Sequence, residues 1–193
     1  KYICYFINKS FKMSNKPILN KTKLLELLTR EKIPYVLHNH EPFFTVKDAE
    51  NNRKDMTGEH TKNIFLKNKK NEFFLLSCSD KQTLDLKKIS KVFKLGNISF
   101  AKEDKLYEIL GVLPGSVSPF GLLNDKKNLV KFYLDNRIAK SKEVNFHPLE
   151  NTSTITISVK DFTNFMIKQN KLINTIDYET YSFIWLFIIY GIL

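Results

Sequence analysis

Short β-prone runs and segments of helical period alternate along the chain, and this alternation constrains the fold more than any other feature. Tyr35–His38 (YVLH), Thr61–Lys67 (TKNIFLK), Glu72–Ser79 (EFFLLSCS), Ile98–Ala101 (ISFA), Leu129–Asp135 (LVKFYLD) and Ser153–Ser158 (STITIS) read as strands. The first helix starts at Asn20, with Asn20 or Thr22 as its cap and Leu24, Leu25, Leu27 and Leu28 as its apolar face, and Pro34 stops it. Thr45–Asn52 reads as a second helix capped by Thr45. Thr83–Lys94 places Leu84, Leu86, Ile89, Val92 and Phe93 at near-helical spacing. Lys102–Leu110 is a helix closed by Gly111, and Val159–Asn170 is the last. Strands and helices that alternate with mixed connections predict a mixed α/β domain around one sheet.

A chain of 193 residues has room for one domain with a real core, not comfortably for two. The expected division is an N-terminal extension over 1–19, a domain over 20–170 and a C-terminal extension over 171–193. Met13 reads as a natural start. The N-terminal stretch has no acidic residue before Glu26, as in some organelle transit peptides, but it also lacks arginine before Arg30 and shows no amphipathic design. Tyr181–Leu193 is a continuous apolar run, shorter than the roughly 20 residues that span a bilayer. A truncated anchor and a core-docking segment both stay open for it.

The net charge of +11, from 31 Lys+Arg against 20 Asp+Glu, favours a polyanionic partner. Nucleic acid and an anionic membrane surface both qualify, and so does a codon bias towards lysine, so the charge alone does not choose. The two cysteines, Cys4 and Cys78, are far apart and suit a reducing compartment. The phosphate-loop, dinucleotide, HExxH and GxSxG patterns are absent, and no Cys/His spacing would hold zinc.

Three segments look over-specified for structure alone. In Gly58–Lys70, Lys62 and Lys67 stand five apart on one strand, so a regular strand sends them to opposite faces. An inward lysine needs an anionic or carbonyl partner; two solvated lysines flanking an apolar strand is the plainer reading. In Gly115–Pro119, glycine permits close backbone approach, proline fixes the loop, and successive N–H groups can cradle an oxygen-rich group. An ordinary turn also fits. In Asn145–Thr154, His147 precedes Pro148 and so sits in extended backbone, where it can orient a ligand or water or serve structure.

Taken in order and spacing, these segments resemble the YbaK/ProX-type prolyl-tRNA editing domains from about Leu24 to about Met166. The resemblance is carried by LLTREKIPYVLHNHEPFFTVKDAE, HTKNIFLK, LGNISFAKEDKLYEILGVLPGSVSPFG and VNFHPLENTSTITIS. It implies a single domain with a central mixed, mostly antiparallel sheet flanked by helices. It also implies hydrolysis of a mischarged aminoacyl-tRNA, most closely alanyl-tRNA(Pro), without metal, cofactor or covalent intermediate. Lys67 falls where the family has its required lysine, and His147 matches a histidine at the substrate pocket. Gly115, Ser116, Val117, Ser118 and Pro119 form the G-x-x-x-P loop beside the ester, suited to stabilise an oxyanion. Lys62 and Asn63 fall where the alanine branch contacts the tRNA acceptor end, and Lys69 and Lys70 add phosphate attraction.

Asn97 stands where relatives often carry an arginine, which removes a cation that could read the acceptor stem. The implied partners are tRNA(Pro) and prolyl-tRNA synthetase, and the implied location is cytoplasmic, with organelle targeting open. Removal of cysteine from tRNA(Pro), action on Ser- or Thr-tRNA, and a non-catalytic tRNA-binding module appended to a prolyl-tRNA synthetase remain the alternatives.

Overall fold

The computed structural model describes residues 19–42, 56–180 and 182–184. The helix expected at Thr45–Asn52 lies outside them, as do most of the N-terminal extension and residues 185–193. The described strands are β1 (Val36–Asn39), β2 (Glu59–Asn68), β3 (Phe73–Ser79), β4 (Ile98–Phe100), β5 (Val130–Asp135), β6 (Glu143–Phe146), β7 (Ser153–Ser158), β8 (Ile173–Asp177) and β9 (Ser182–Ile184). They form one sheet in the order β1-β7-β6-β2-β3-β5-β8-β9, with β4 also paired to β2. The β1–β7, β2–β3, β2–β4, β6–β7 and β8–β9 pairs are antiparallel, and β2–β6, β3–β5 and β5–β8 are parallel. The sheet is therefore mixed and mostly antiparallel, as the family resemblance implies.

Local chemistry explains where the elements begin and end. Asn20 caps α1 (Lys21–Arg30) by accepting from the Lys23 amide at 3.1 Å. Asp85 caps α2 (Leu86–Val92) by accepting from the amides of Lys87 and Lys88. Gly111, at φ 69°, closes α3 (Glu103–Leu110). A short helix α4 (Asn136–Ala139) follows β5, and Ser158 caps α5 (Val159–Lys168). In the β2–β3 hairpin, Asn68 Oδ1 accepts from the amides of Lys70 and Glu72, which folds the Lys69–Asn71 turn.

Period-2 alternation gives each face of the sheet its own core. On one face Phe65, Phe73, Leu75, Phe132, Val144, Phe146, Ile155 and Ile157 pack with residues of α1, α3 and α5 and with Phe120. On the other, Leu66, Phe74, Leu76, Cys78 and Tyr133 pack under Ile89 and Phe93 of α2 and its neighbourhood. Cys78 is a free, buried thiol.

The sheet does not stop at Asn170. β8 pairs with β5 from Phe132↔Ile173 to Asp135↔Ile176, and β9, inside the apolar tail, pairs with β8. The domain boundary expected at residue 170 therefore falls short of the folded unit. β8 (INTID) is short and carries Asn and Asp, so it lacks the apolar run that marks the other strands. Strand β6 is likewise hidden in the loop-like Asn145–Thr154 segment.

Candidate functional site

The sheet parts in the middle, along one edge of β2. On that side β6 covers only Glu59 and His60, and β4 begins its pairing at Leu66. Between them, even-numbered residues of β2 bond towards β3: His60 O accepts from Asp80 N, and Asn68 N donates to Glu72 O. Odd-numbered residues turn their backbone groups the other way. Phe65 O accepts from Ala101 N, whereas the backbone groups of Asn63 open into the gap.

Two loops border this gap. The first is the turn leaving β6, from His147 to Thr152. His147 Nδ1 lies 2.9 Å from Ser153 O, so a proton on Nδ1 is donated to that carbonyl. Leu149 holds φ 71°, which costs a bulky residue about 1–2 kcal/mol, and burial of its side chain in the core fixes it there. Glu150 ties the turn to α1 through Lys21 Nζ at 2.8 Å and accepts from Thr152 Oγ1 at 2.7 Å. Burial would raise the Glu150 pKa, but the hydrogen bonds from Lys21 and Thr152 outweigh it and hold the carboxyl below its ordinary value.

The second is the Gly115–Pro119 loop. Gly115 stands at φ 86°, and a Cβ on it would lie 3.5 Å from Asn151 Nδ2, which places this loop against the first. Its far end is anchored in the core: Ser118 caps a 3-10 helix over Pro119–Leu123, and Phe120 packs edge-on to Phe146 and Phe162. Pro119 has no N–H, and the Ser116 amide donates to Leu113 O at 3.0 Å. Gly115 is exposed and Val117 half-buried, whereas Ser118 is fully buried.

Beside the gap, one sheet face is polar and rich in histidine. Thr156 donates to Asn145 Oδ1 at 2.5 Å and accepts from His38 Nε2 at 3.0 Å, while Asn145 Nδ2 donates to Thr57 O at 2.7 Å. His40 Nδ1 donates to Glu41 O, so its Nε2 accepts from Thr154 Oγ1 at 2.9 Å. The His40 and His147 rings stand 6.1 Å apart. Asn145 and Thr156 are each 3% exposed, which makes this a buried network. Among the described residues no three His, Cys, Asp or Glu side chains gather into a metal-holding group, and no helix is long and apolar enough to cross a membrane.

A family model for the aminoacyl-tRNA editing domain matches residues 40–165. The chain belongs to the aminoacyl-tRNA editing domain family. It is 32% identical over 151 residues to the prolyl-tRNA editing protein ProX of Acetoanaerobium sticklandii, covering 78% of this chain and 92% of that one. It is 31% identical to the prolyl-tRNA synthetase associated domain-containing protein 1 of Xenopus laevis, over 77% of this chain and 90% of the relative. A crystal structure of a candidate trans-editing enzyme for prolyl tRNA synthetase superposes with a TM-score of 0.59 at 20% identity. That match covers 83% of this chain and 96% of the other, and it establishes the shared fold.

Within this editing domain the expected site residues fall into two groups. His147, the Gly115–Pro119 loop, Lys62 and Asn63 border or flank the gap. Lys62 follows His60 on the face that carries Asn145 and Thr156, and its Nζ donates to Asp80 O at 3.3 Å and to Gln82 O. It is the lysine that found the carbonyl partners an inward ammonium needs. Asn63 points to the other face and accepts from Ser77 Oγ.

Lys67 is separated from this group. It pairs with Phe73 and shares the face of Phe65, while Lys62 lies five residues back, roughly 17 Å along the strand. Lys69 and Lys70 are exposed in the β2–β3 turn, further still from His147. The structure adds His40, Asn145, Thr154 and Thr156, which sequence reasoning does not single out as site residues. The alternation of threonine and isoleucine in STITIS is the available signal: it puts the threonines on one face and the isoleucines in the core.

Proposed function

We propose that this protein is an aminoacyl-tRNA deacylase that clears a wrong amino acid, alanine above all, from tRNA(Pro), working in translation beside a prolyl-tRNA synthetase. One observation carries the reading: the sheet of an editing domain opens beside Asn63, and the His147 turn and the Gly115–Pro119 loop border that opening. An aminoacyl ester needs this combination of a slot for a small residue, donors for a developing oxyanion and a polar wall that orders water.

In the proposed reaction, a water adds to the ester carbonyl and the amides of the Gly115–Pro119 loop, those of Gly115 and Val117 first, receive the charge that develops on its oxygen. Collapse of the adduct releases the amino acid, and the ribose oxygen takes up the proton lost by water. His147, held by Ser153 O through Nδ1 at the border of the gap, is the residue that orients the water. The neighbouring ribose hydroxyl assists in the same way, as the family resemblance implies.

Geometry favours Lys62 over Lys67 as the cation that holds the acceptor end. Lys62 is next to Asn63 on β2 and shares the face of Asn145 and Thr156, and a charge-assisted contact to the terminal nucleotide is within the reach of its long stem. The GSVSP sequence of the loop supports alanine as the residue removed. A slot sized for alanine rejects the proline ring by overpacking, which costs about 1–3 kcal/mol, so the sieve alone supplies moderate discrimination.

The test is deacylation of alanyl-, cysteinyl- and prolyl-tRNA(Pro) by the native protein, Lys62→Met and Lys67→Met. Loss of alanine only, at least 100-fold slower in Lys62→Met and within about threefold of native in Lys67→Met, is the expected result. Release of cysteine in place of alanine would move the substrate and keep the chemistry. Failure to hydrolyse any of the three esters would refute the deacylase reading, and a selective collapse in Lys67→Met would refute the assignment of Lys62.

A further inference from the structure

The segment from Leu86 to Lys102 carries five lysines and no acidic residue. In α2, Ile89 is fully buried and Phe93, just past the helix, nearly so, and this face lies on the sheet over Leu66, Phe74 and Leu76. The opposite side presents Lys87, Lys88, Lys91 and Lys94, all exposed. Lys87 and Lys91 stand at i and i+4 on the helix, about 6 Å apart, and Lys94 follows just past its end, at φ 52°. Phe100, two-thirds exposed on the adjacent strand β4, adds an aromatic surface.

The placement of this run of lysines is fixed at both ends. Just before α2, Gln82 O and Asp80 O accept from Lys62 Nζ, at the end of β2 beside the gap. Just after it, Leu95 O accepts from Asn68 Nδ2 at 2.9 Å, next to the turn that carries Lys69 and Lys70. The α2 segment therefore follows β2 from the level of Lys62 to the β2–β3 turn, a run of roughly 20 Å. A polyanion whose end enters the gap at Lys62 meets Lys87 first, then Lys91 and Lys94, then Lys69 and Lys70.

We propose that α2 is a docking rail for the acceptor-stem phosphates of tRNA, which seats the 3′ end at the gap. The proposal rests on the aminoacyl-tRNA reading above and gives that substrate a second contact surface. Charge complementarity selects the occupant: a run of exposed cations from Lys87 to Lys94, leading away from the gap, fits a phosphate backbone. A-form RNA is bound largely through its shape and phosphates, so such a rail needs no base-reading arginine. It offsets the loss of a cation at Asn97, which is exposed beside the end of the rail.

The test uses the full chain with Lys87, Lys91 and Lys94 all changed to Gln. A control triple changes the exposed Lys126, Lys127 and Lys160 to Gln, which removes the same charge elsewhere. The first probe is a deacylated acceptor-stem minihelix of tRNA(Pro), with its Kd measured across a salt series. Each phosphate that is no longer neutralised lowers the slope of log K against log salt by about 0.7–0.9, so the rail triple should lose about 2–3 units. By the same relation Kd at 0.15 M salt rises on the order of 10- to 100-fold, while the control triple stays within about threefold.

The second probe is 3′-O-alanyl-adenosine, an ester with no stem, which the rail triple should hydrolyse at the native rate. Equal weakening by both triples, or no weakening by either, overturns the rail. So does loss of binding to phosphatidylserine vesicles with minihelix binding intact, which would make this a membrane face. Should the native protein hydrolyse neither ester nor aminoacyl-tRNA, the deacylase reading falls, and the minihelix slopes still decide the rail.

Discussion

Removing the Asn145 side chain amide tests whether the polar face of the sheet is held by hydrogen bonds or merely tolerated by the core. In Asn145→Ala two bonds disappear, one from Nδ2 to Thr57 O at 2.7 Å and one from Thr156 Oγ1 to Oδ1 at 2.5 Å. Each contributes about 1 kcal/mol net. The Thr156 hydroxyl is also left without its acceptor at a site that is 3% exposed, a desolvation penalty of about 1–3 kcal/mol. The sum is about 3–5 kcal/mol, a large share of the stability of a domain this size.

Thr156→Val removes the other partner, and the two changes made together delete donor and acceptor at once. The double variant should cost less than the sum of the singles by about 1 kcal/mol or more, because the orphaned hydroxyl is gone. The assay is urea unfolding followed by circular dichroism, with the four proteins compared at a common m-value. A loss below about 0.5 kcal/mol in Asn145→Ala, or strict additivity in the cycle, would show that the network is not what holds β6 and β7 together.

Two further outcomes follow from single groups. Gly58 sits at φ 80°, and a Cβ there would lie 2.8 Å from Glu143 Cβ and 2.9 Å from the Glu143 backbone. Gly58→Ala should therefore cost about 2–5 kcal/mol, from left-handed strain plus overpacking. It should lower the melting temperature sharply, because the parallel β2–β6 contact of two residue pairs joins the two halves of the sheet; an unchanged melting temperature would refute the close approach. Burial pushes the Cys78 thiol up to about 12 from an ordinary value of 9. A raised folded pKa means that its contribution is fully present below pH 9 and is lost as pH climbs from 9 towards 12. The buried hydroxyls of Tyr133 and Tyr178 are raised by burial as well and act in the same direction. Lys171, lowered by burial, acts in the opposite one. Cys78→Ala should flatten the alkaline fall in the urea midpoint between about pH 9 and 10.5, and parallel curves for the two proteins would exclude the thiol as its source.

Much of the fold is legible in the sequence because its signals are local. Asn20 and Gly111 mark helix ends through bonds made within a few residues, and the continuous apolar run in EFFLLSCS suits a strand buried on both sides. The three segments with unusual composition also emerge from the sequence, since glycine, proline and a histidine before proline each restrict the backbone where they stand. The opposite facing of Lys62 and Lys67 follows from the strand period alone.

What the sequence alone leaves open is where each of those lysines sits relative to the opening of the sheet, because each reads equally well as an outlier on an apolar strand. The answer depends on a pairing between residues more than 80 positions apart: β6 covers β2 at Glu59 and His60 and then ends. That single long-range pairing sets where the sheet opens, which face meets His147 and where α2 lies relative to the gap. Strands β6, β8 and β9 are obscure for the same reason. They are segments of three to five residues, too short to stand out, and they become strands because an edge formed by other strands offers their backbone groups partners.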